Sequence, residues 1–300
     1  MNQHTLHQPV TLSGKGLHTG ADITATLLPA SEGTGICFRR VDLPDRPCYE
    51  ALADYVGGTT RGTVLEKGAW RVSTVEHLMA ALYALGVTNC IVEVNGAEVP
   101  ILDGSARPWL EAIRQAGIDE QTAPAREWIV TRSLVFYNGK GSSLYVEPAE
   151  QYSVEVFVNY HSPVLGKQSA VLNDLKDFAQ DIAAARTFCF LREVRPLLEL
   201  GLIRGGDLQN ALVIYDKRIW QWSMNRLARK LNQPPIDASQ LGYLSPLHYE
   251  NEPARHKLLD LIGDMALSGV RIRGRLIATC PGHAFNTDCC KQLRQYIQNL

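Results

Sequence analysis

The chain has 300 residues, 45% of them hydrophobic, with 30 basic against 31 acidic side chains. That length suits one large domain or two medium ones with real cores, and the balanced charge excludes nucleic acid as the main partner. Seven cysteines without a CxxC pair, no basic-then-apolar leader and no long apolar run read as a cytoplasmic chain with reduced thiols.

The first half opens on strands. "ADITATLLP" (Ala21–Pro29) alternates Ile23, Ala25 and Leu27, and "GICFRRVDL" follows as a second strand. A helix is expected from about Thr74 to Leu85, stopped by Gly86. "CIVEVNGAEVPIL" reads as a hairpin turning at Asn95-Gly96. "DGSARPWLEAIRQAG" reads as a loop and helix, with Ser105 as N-cap and Gly117 as stop. A polar, Pro-containing stretch then places a domain boundary near Ala125, dividing 1–125 from 126–300.

Strands begin again in "EWIVTRSLVFY", "SSLYVEP" and "YSVEVFVNY". A helical region around Leu175–Ile182 precedes a helix, a Gly-rich turn and a strand in "AARTFCFLREVRPLLELGLIRGGDLQNALVIYD". Another helix is expected over Trp220–Leu231. "VRIRGRLIATC" is a strand, "PGHAFN" a loop, and the chain closes on a helix. Each half thus ends alike: a helix with a histidine (His77, His256), strand structure, a glycine loop and a final helix. Two similar layers facing each other would bring the histidine helices together.

"ARHKLLDLIGDMA" (Ala254–Ala266) carries His256, Asp260 and Asp264 at four-residue intervals. On a helix they fall within a sector about 80° wide, opposite Leu258, Leu259, Leu261, Ile262 and Met265. The stripe is either the wet face of an amphipathic helix or one wall of a site. In "STVEHLMAALYALG", Ser73 and Glu76 fit a capping box. His77 beside them reads either as a core histidine or as a ligand.

Two neutral imidazoles, one carboxylate and water make a catalytic zinc set, which His77, His256 and Asp260 could supply. Glu76 would stand beside it as a base for the bound water. His283 sits near a helix start, where a positive charge needs an anion, and Asp264 could provide it. That pair would give a protonated imidazole for an oxyanion and a leaving amine. As the alternative, His283 is a polar loop residue.

"GKGLHTG", "TVEHLMAALYALGVTN", "ILDGSA", "ARTFCF", "GLIRGGDLQNALV", "ARHKLLDLIGD" and "GHAFN", in this order, resemble the UDP-3-O-acyl-N-acetylglucosamine deacetylases of lipid A biosynthesis over nearly the whole chain. The resemblance implies two similar α+β domains, each a mainly antiparallel sheet packed on two helices, with the active site between them. It implies a zinc-dependent amidase that removes acetate from the 2-acetamido group of UDP-3-O-(3-hydroxyacyl)-N-acetylglucosamine, the committed step of that synthesis. Carried over by position, His77, His256 and Asp260 would hold the metal and Glu76 would be the general base. His283, oriented by Asp264, would be the general acid, with Lys257 adding positive charge, Thr187 donating to the oxyanion and His18 contacting substrate. An insert over about 188–214 would form an apolar passage for the acyl chain, lined by Phe188, Leu191, Val194, Ile203 and Val213. Each of these could equally be ordinary core.

The ligand set admits Fe2+ as well as Zn2+. A product bound for lipid synthesis is compatible with peripheral membrane contact. The segment over about 217–247 is an extra helical insertion relative to the commoner pattern, and packing near the passage is expected of it. Two rivals remain at this level. A metal-independent sugar-nucleotide transferase would work in the presence of a chelator; a non-catalytic sugar-nucleotide or lipid-binding regulator would bind metal without releasing acetate.

Overall fold

Helices occupy Glu76–Ala84 (α1), Arg107–Ala116 (α2), Phe178–Asp181 (α3), Leu191–Glu199 (α4), Gln221–Lys230 (α5), Glu252–Ala266 (α6) and His283–Gln298 (α7). These come from a computed structural model that describes every residue except 201, 231–233 and 300. The expected end of the helix over Trp220–Leu231 therefore lies outside the described residues.

In the first half, five strands stand in the order Val10–Lys15, Asp22–Pro29, Cys90–Val94, Ile36–Arg40, Cys48–Glu50, and only the third and fourth are parallel neighbours. The second half repeats the order with Leu134–Tyr137, Ser143–Glu147, Arg275–Thr279, Ser153–Asn159 and Lys167–Leu172, again with one parallel pair. In the first half the strand after the histidine helix enters at the centre of its sheet; in the second, Arg271–Arg273 first pairs with Glu127–Ile129, and Arg275–Thr279 then takes the centre. The fold is α+β, built from two similar sheet-and-helix halves; the sequence carries the repeat only as a like order of elements at the end of each half, without residue-level repetition.

Alternation explains how each sheet finds its inner face. Ile23, Ala25 and Leu27 are buried on Asp22–Pro29, and Val154, Val156 and Val158 on Ser153–Asn159 of the second sheet. The helices α1 and α6 pack against each other, and one hydrophobic core runs through both halves. Residues 76–83 of α1 are buried on every side. Burying Leu78, Met79 and Leu82 is worth roughly 1.5–3 kcal/mol each, enough to carry the polar Glu76 and His77 into the interior with them. Gly263 allows the close approach: a Cβ there would lie 2.1 Å from the Glu76 carbonyl oxygen.

Two local expectations fail outright. The Asn95-Gly96 hairpin does not form, because Cys90–Val94 already has a strand on each side and offers no free edge. The chain instead crosses to Trp70–Ser73, where the Ser73 amide donates to Ala97 and the Val99 amide to Ser73. The capping box is absent too: the Ser73 hydroxyl donates to the Ala97 carbonyl, and the Glu76 carboxylate turns inward. A small sheet of Val56–Gly58, Val64–Lys67 and Trp70–Ser73 was not anticipated; its strands are too short for a clear alternation. The N-cap of α2 is Ala106 rather than Ser105, which stands one residue earlier and accepts from the Arg107 amide; Gly117 ends that helix as expected.

In the insert, Phe188–Phe190 and Leu212–Tyr215 pair in parallel, and α4 makes the crossover such a pair requires. Gly242–Tyr243 adds a third, antiparallel strand. Just before these strands, Arg186 is tied to α6 by a buried ion pair, its Nε donating to Glu252 Oε1 at 2.8 Å and its amide to the same oxygen at 3.0 Å. Thr187 follows directly, its amide bonded to the Gly104 carbonyl, which holds it at the junction of the two halves.

Candidate active site

The first turn of α1 and the middle of α6 meet at the junction. His256, Asp260 and Asp264 are almost fully buried, so their stripe is no solvated face. The His77 and His256 rings lie 5.1 Å apart, nearly perpendicular. Their Nε2 atoms approach the same oxygen, Asp260 Oδ1, at 3.7 and 3.4 Å. That oxygen is buried without a hydrogen-bond partner. One donor atom from each residue falls within 4.8 Å of the others.

The donor set suits a divalent ion. His256 Nδ1 lies 3.1 Å from the Ala185 carbonyl, which can only accept, so the proton sits on Nδ1 and the Nε2 lone pair faces Asp260. Burial, with His256 adding to it, pushes His77 down to about 3, and burial also lowers His256. Burial opposes ionisation of Asp260, yet His256, Lys257 and the other two imidazoles hold it well below the usual carboxylate range. Two neutral imidazoles and one carboxylate therefore converge on an unpartnered buried oxygen. An orphaned acceptor of this kind is costly unless a cation satisfies it.

Beside this set, Glu76 is raised to about 7, chiefly by burial. Thr63 donates its amide to Glu76 Oε2 at 3.0 Å and its hydroxyl to Asp264 Oδ1 at 2.6 Å. Asp264 Oδ2 lies 3.0 Å from His283 Nδ1 and accepts from Asn286 at 2.9 Å. Burial works against a charge on His283, but Asp264, Asp260 and Glu76 outweigh it and raise the imidazole to about 9. Its Nε2 points to the site, 3.8 Å from Glu76 Oε1 and 3.7 Å from Asp260 Oδ2. A carboxylate able to take a proton and an imidazolium able to give one thus flank the donor set. A bound cation would pull both values down.

Lys257 donates to Asp260 Oδ2 at 2.8 Å and stands over the Phe188 ring. Burial resists its charge, but Asp260 holds it above the usual lysine range. Lys257 and Thr187 line the same cleft as the three donors, Glu76 and His283. A second, largely apolar cavity adjoins it and shares Leu17, Arg61, Thr187 and Phe188. His18, Val194, Ile203 and Val213 line that cavity. Leu191 does not; it lies in the cluster of Tyr215 and Met224, turned from the cavity by its place on the first turn of α4.

Several residues that complete the site were not singled out from the sequence. Thr63, Asn286 and Gly263 are among them. Glu98 is another: fully buried, it accepts from the His18 and Thr19 amides and from the Thr19 and Thr74 hydroxyls. The last of these bonds helps hold Thr74 at φ +58°, uncommon for a β-branched residue, immediately before α1. Glu98 did carry one overlooked clue, a lone carboxylate between Ala97 and the apolar "VPIL".

On this duplicated α+β frame, a buried His–His–Asp set with a base and an acid at its side has the parts of a metal-assisted hydrolase. Sequence comparison narrows the class. The family profile described as UDP-3-O-acyl N-acetylglycosamine deacetylase matches residues 3–230 and 236–295, and the chain belongs to that family. A bifunctional LpxC/FabZ enzyme of Bacteroides thetaiotaomicron is 49% identical over 99% of this chain and 65% of its own length. UDP-3-O-acyl-N-acetylglucosamine deacetylases of Myxococcus xanthus and Teredinibacter turnerae are 40% and 38% identical, over 95% and 98% of this chain and 84% and 90% of theirs. The chain thus spans just under two thirds of the length of the bifunctional relative.

Proposed function

We propose that this chain hydrolyses the acetamide of UDP-3-O-(3-hydroxyacyl)-N-acetylglucosamine, releasing acetate and leaving a free 2-amino group. The observation that carries the reading is Asp260 Oδ1, buried without a partner and faced by two imidazole Nε2 atoms. His77, His256 and Asp260 would hold a divalent ion, zinc or iron(II), which supplies a Lewis acid and brings the pKa of a water near 7. Glu76 takes the proton of the attacking water as its oxygen bonds to the acetamide carbon. Thr187 donates a hydrogen bond to the developing oxyanion, and Lys257 adds positive charge nearby. His283, kept protonated by Asp264, gives its Nε2 proton to the nitrogen as the C–N bond breaks. His18 contacts the substrate. The acyl chain takes the apolar cavity of Phe188, Val194, Ile203 and Val213, which adjoins the cleft.

We read the two halves as domains meeting near Ala125, the acyl passage as part of the 188–214 insert, and the cytoplasm as the compartment. Seven free cysteines support that compartment. No helix among the described residues is long and apolar enough to cross a membrane.

Metal analysis of the purified chain tests the reading. About one ion per chain is expected in the wild type and a small fraction of that in His256→Ala, since two ligands no longer make a tight site. A folded wild type that stays metal-free after zinc is supplied would sink it. Asp264→Asn separates ligand from positioning group: metal should be retained while acetate release falls roughly 10–100-fold. Unchanged turnover in that variant would remove Asp264 and His283 from the proton path.

A further inference from the structure

Of the five tryptophans, Trp70, Trp109 and Trp128 are buried, whereas Trp220 and Trp222 are 77% and 64% exposed. The two exposed rings stand at the start of α5, in a segment to which the deacetylation reading gives no task. Residues 217–230 hold five basic and no acidic side chains, in a chain whose total charge is −1. Helix geometry sorts them. With Met224 as the inward reference, Ala228 and Leu227 fall on the inner side, and Trp222, Arg226 and Arg229 fall within about 60° of one another on the opposite side. Burial agrees: Met224 and Ala228 are inside, while Trp222, Arg226 and Arg229 are exposed. Lys217, Arg218, Ile219 and Trp220 lead into this face, all exposed.

We infer that this face of the segment docks on an anionic lipid bilayer, with Trp220 and Trp222 in the interface and the basic side chains against the headgroups. Indole rings, apolar in body with one N–H donor, partition to the boundary between headgroups and acyl chains. Arginine and lysine around them match the negative surface potential of an anionic leaflet, and no acidic side chain on the segment opposes it. Placement gives the contact a purpose. Met224 packs in the same cluster as Val194 and Val213, and both of those line the apolar cavity. The inner side of α5 therefore braces the wall of the cavity proposed for the acyl chain, while its outer side faces the bilayer. An amphiphile with one long chain would meet the cavity close to the surface where such molecules concentrate. The docking surface itself does not depend on the deacetylation reading.

Flotation with vesicles tests it, using phosphatidylcholine alone or with roughly 30 mol% phosphatidylglycerol. The full chain should float with the anionic vesicles at low salt, release at high salt and ignore the neutral ones. Brominated lipids should quench its tryptophan emission. Trp220→Ala/Trp222→Ala should bind at least about tenfold more weakly and lose the quenching, and Arg226→Glu/Arg229→Glu should lose the preference for anionic lipid. Thermal melts matching the wild type establish that both variants are folded. No flotation, equal flotation on both vesicles, or binding unchanged in the double tryptophan variant overturns the inference. So does dimerisation in sedimentation that the tryptophan variant abolishes while neither protein binds vesicles, which would make the partner a second copy of this chain.

Discussion

Replacing Glu76 by glutamine should lower acetate release about 10³-fold while metal content stays near that of the wild type. Glutamine keeps the length and shape of the side chain, and its carbonyl oxygen can still accept from the Thr63 amide that now holds Oε2 at 3.0 Å. The fold around Thr63 and Asp264 should survive for that reason. What disappears is a carboxylate that burial raises to about 7, a value suited to taking a proton near neutral pH. A 10³-fold loss is about 4 kcal/mol of barrier, more than a small shift of an intact neighbour would cost. Acetate release and metal content, measured on one preparation, separate the outcomes. Full activity would exclude Glu76 as the base, and loss of the ion would make it a ligand.

Gly263→Ala should destabilise the protein by on the order of 3 kcal/mol and lower the Tm by roughly 5–10 °C. The added Cβ would lie 2.1 Å from the carbonyl oxygen of Glu76 and 2.8 Å from its carbonyl carbon, both backbone atoms that no rotamer change can remove. To make room, α1 must move off α6. His77 leaves His256 and Asp260 by the same motion, because they sit on opposite sides of that contact. Affinity for the ion should fall together with stability, although Gly263 touches no ligand. A thermal melt and metal analysis of one variant check both, and an unchanged Tm would mean that the helices part at little cost.

The legibility of the site tracks the distance over which its contacts act. His256, Asp260 and Asp264 could be placed on one stripe because four-residue spacing projects onto one face of any helix. The facing of the two histidine helices followed from the likeness of the two chain halves. Thr63 offered no such handle. It bonds Glu76 thirteen residues away and Asp264 two hundred and one residues away, and neither separation leaves a local pattern. The Asn-Gly turn misled for the converse reason. Its two residues do favour a hairpin, but a strand already paired on both edges cannot accept a returning one. Leu191 was indistinguishable from Val194 as a lining residue, since both are apolar and only the direction of α4 sends one away from the cavity.

From residue order alone came the balance of charge, the alternating faces of the sheets, the ligand spacing on α6 and the likeness of the two halves. Each depends on backbone periodicities that operate within one or two elements. Packing settled the rest: that the polar stripe of α6 is buried, that Asp260 keeps an unpartnered oxygen beside two imidazoles, and that Gly263 lets α1 come close enough. Those outcomes required both halves to bury their apolar faces against each other, because a helix buries whichever side its partner covers and no segment carries a record of its partner.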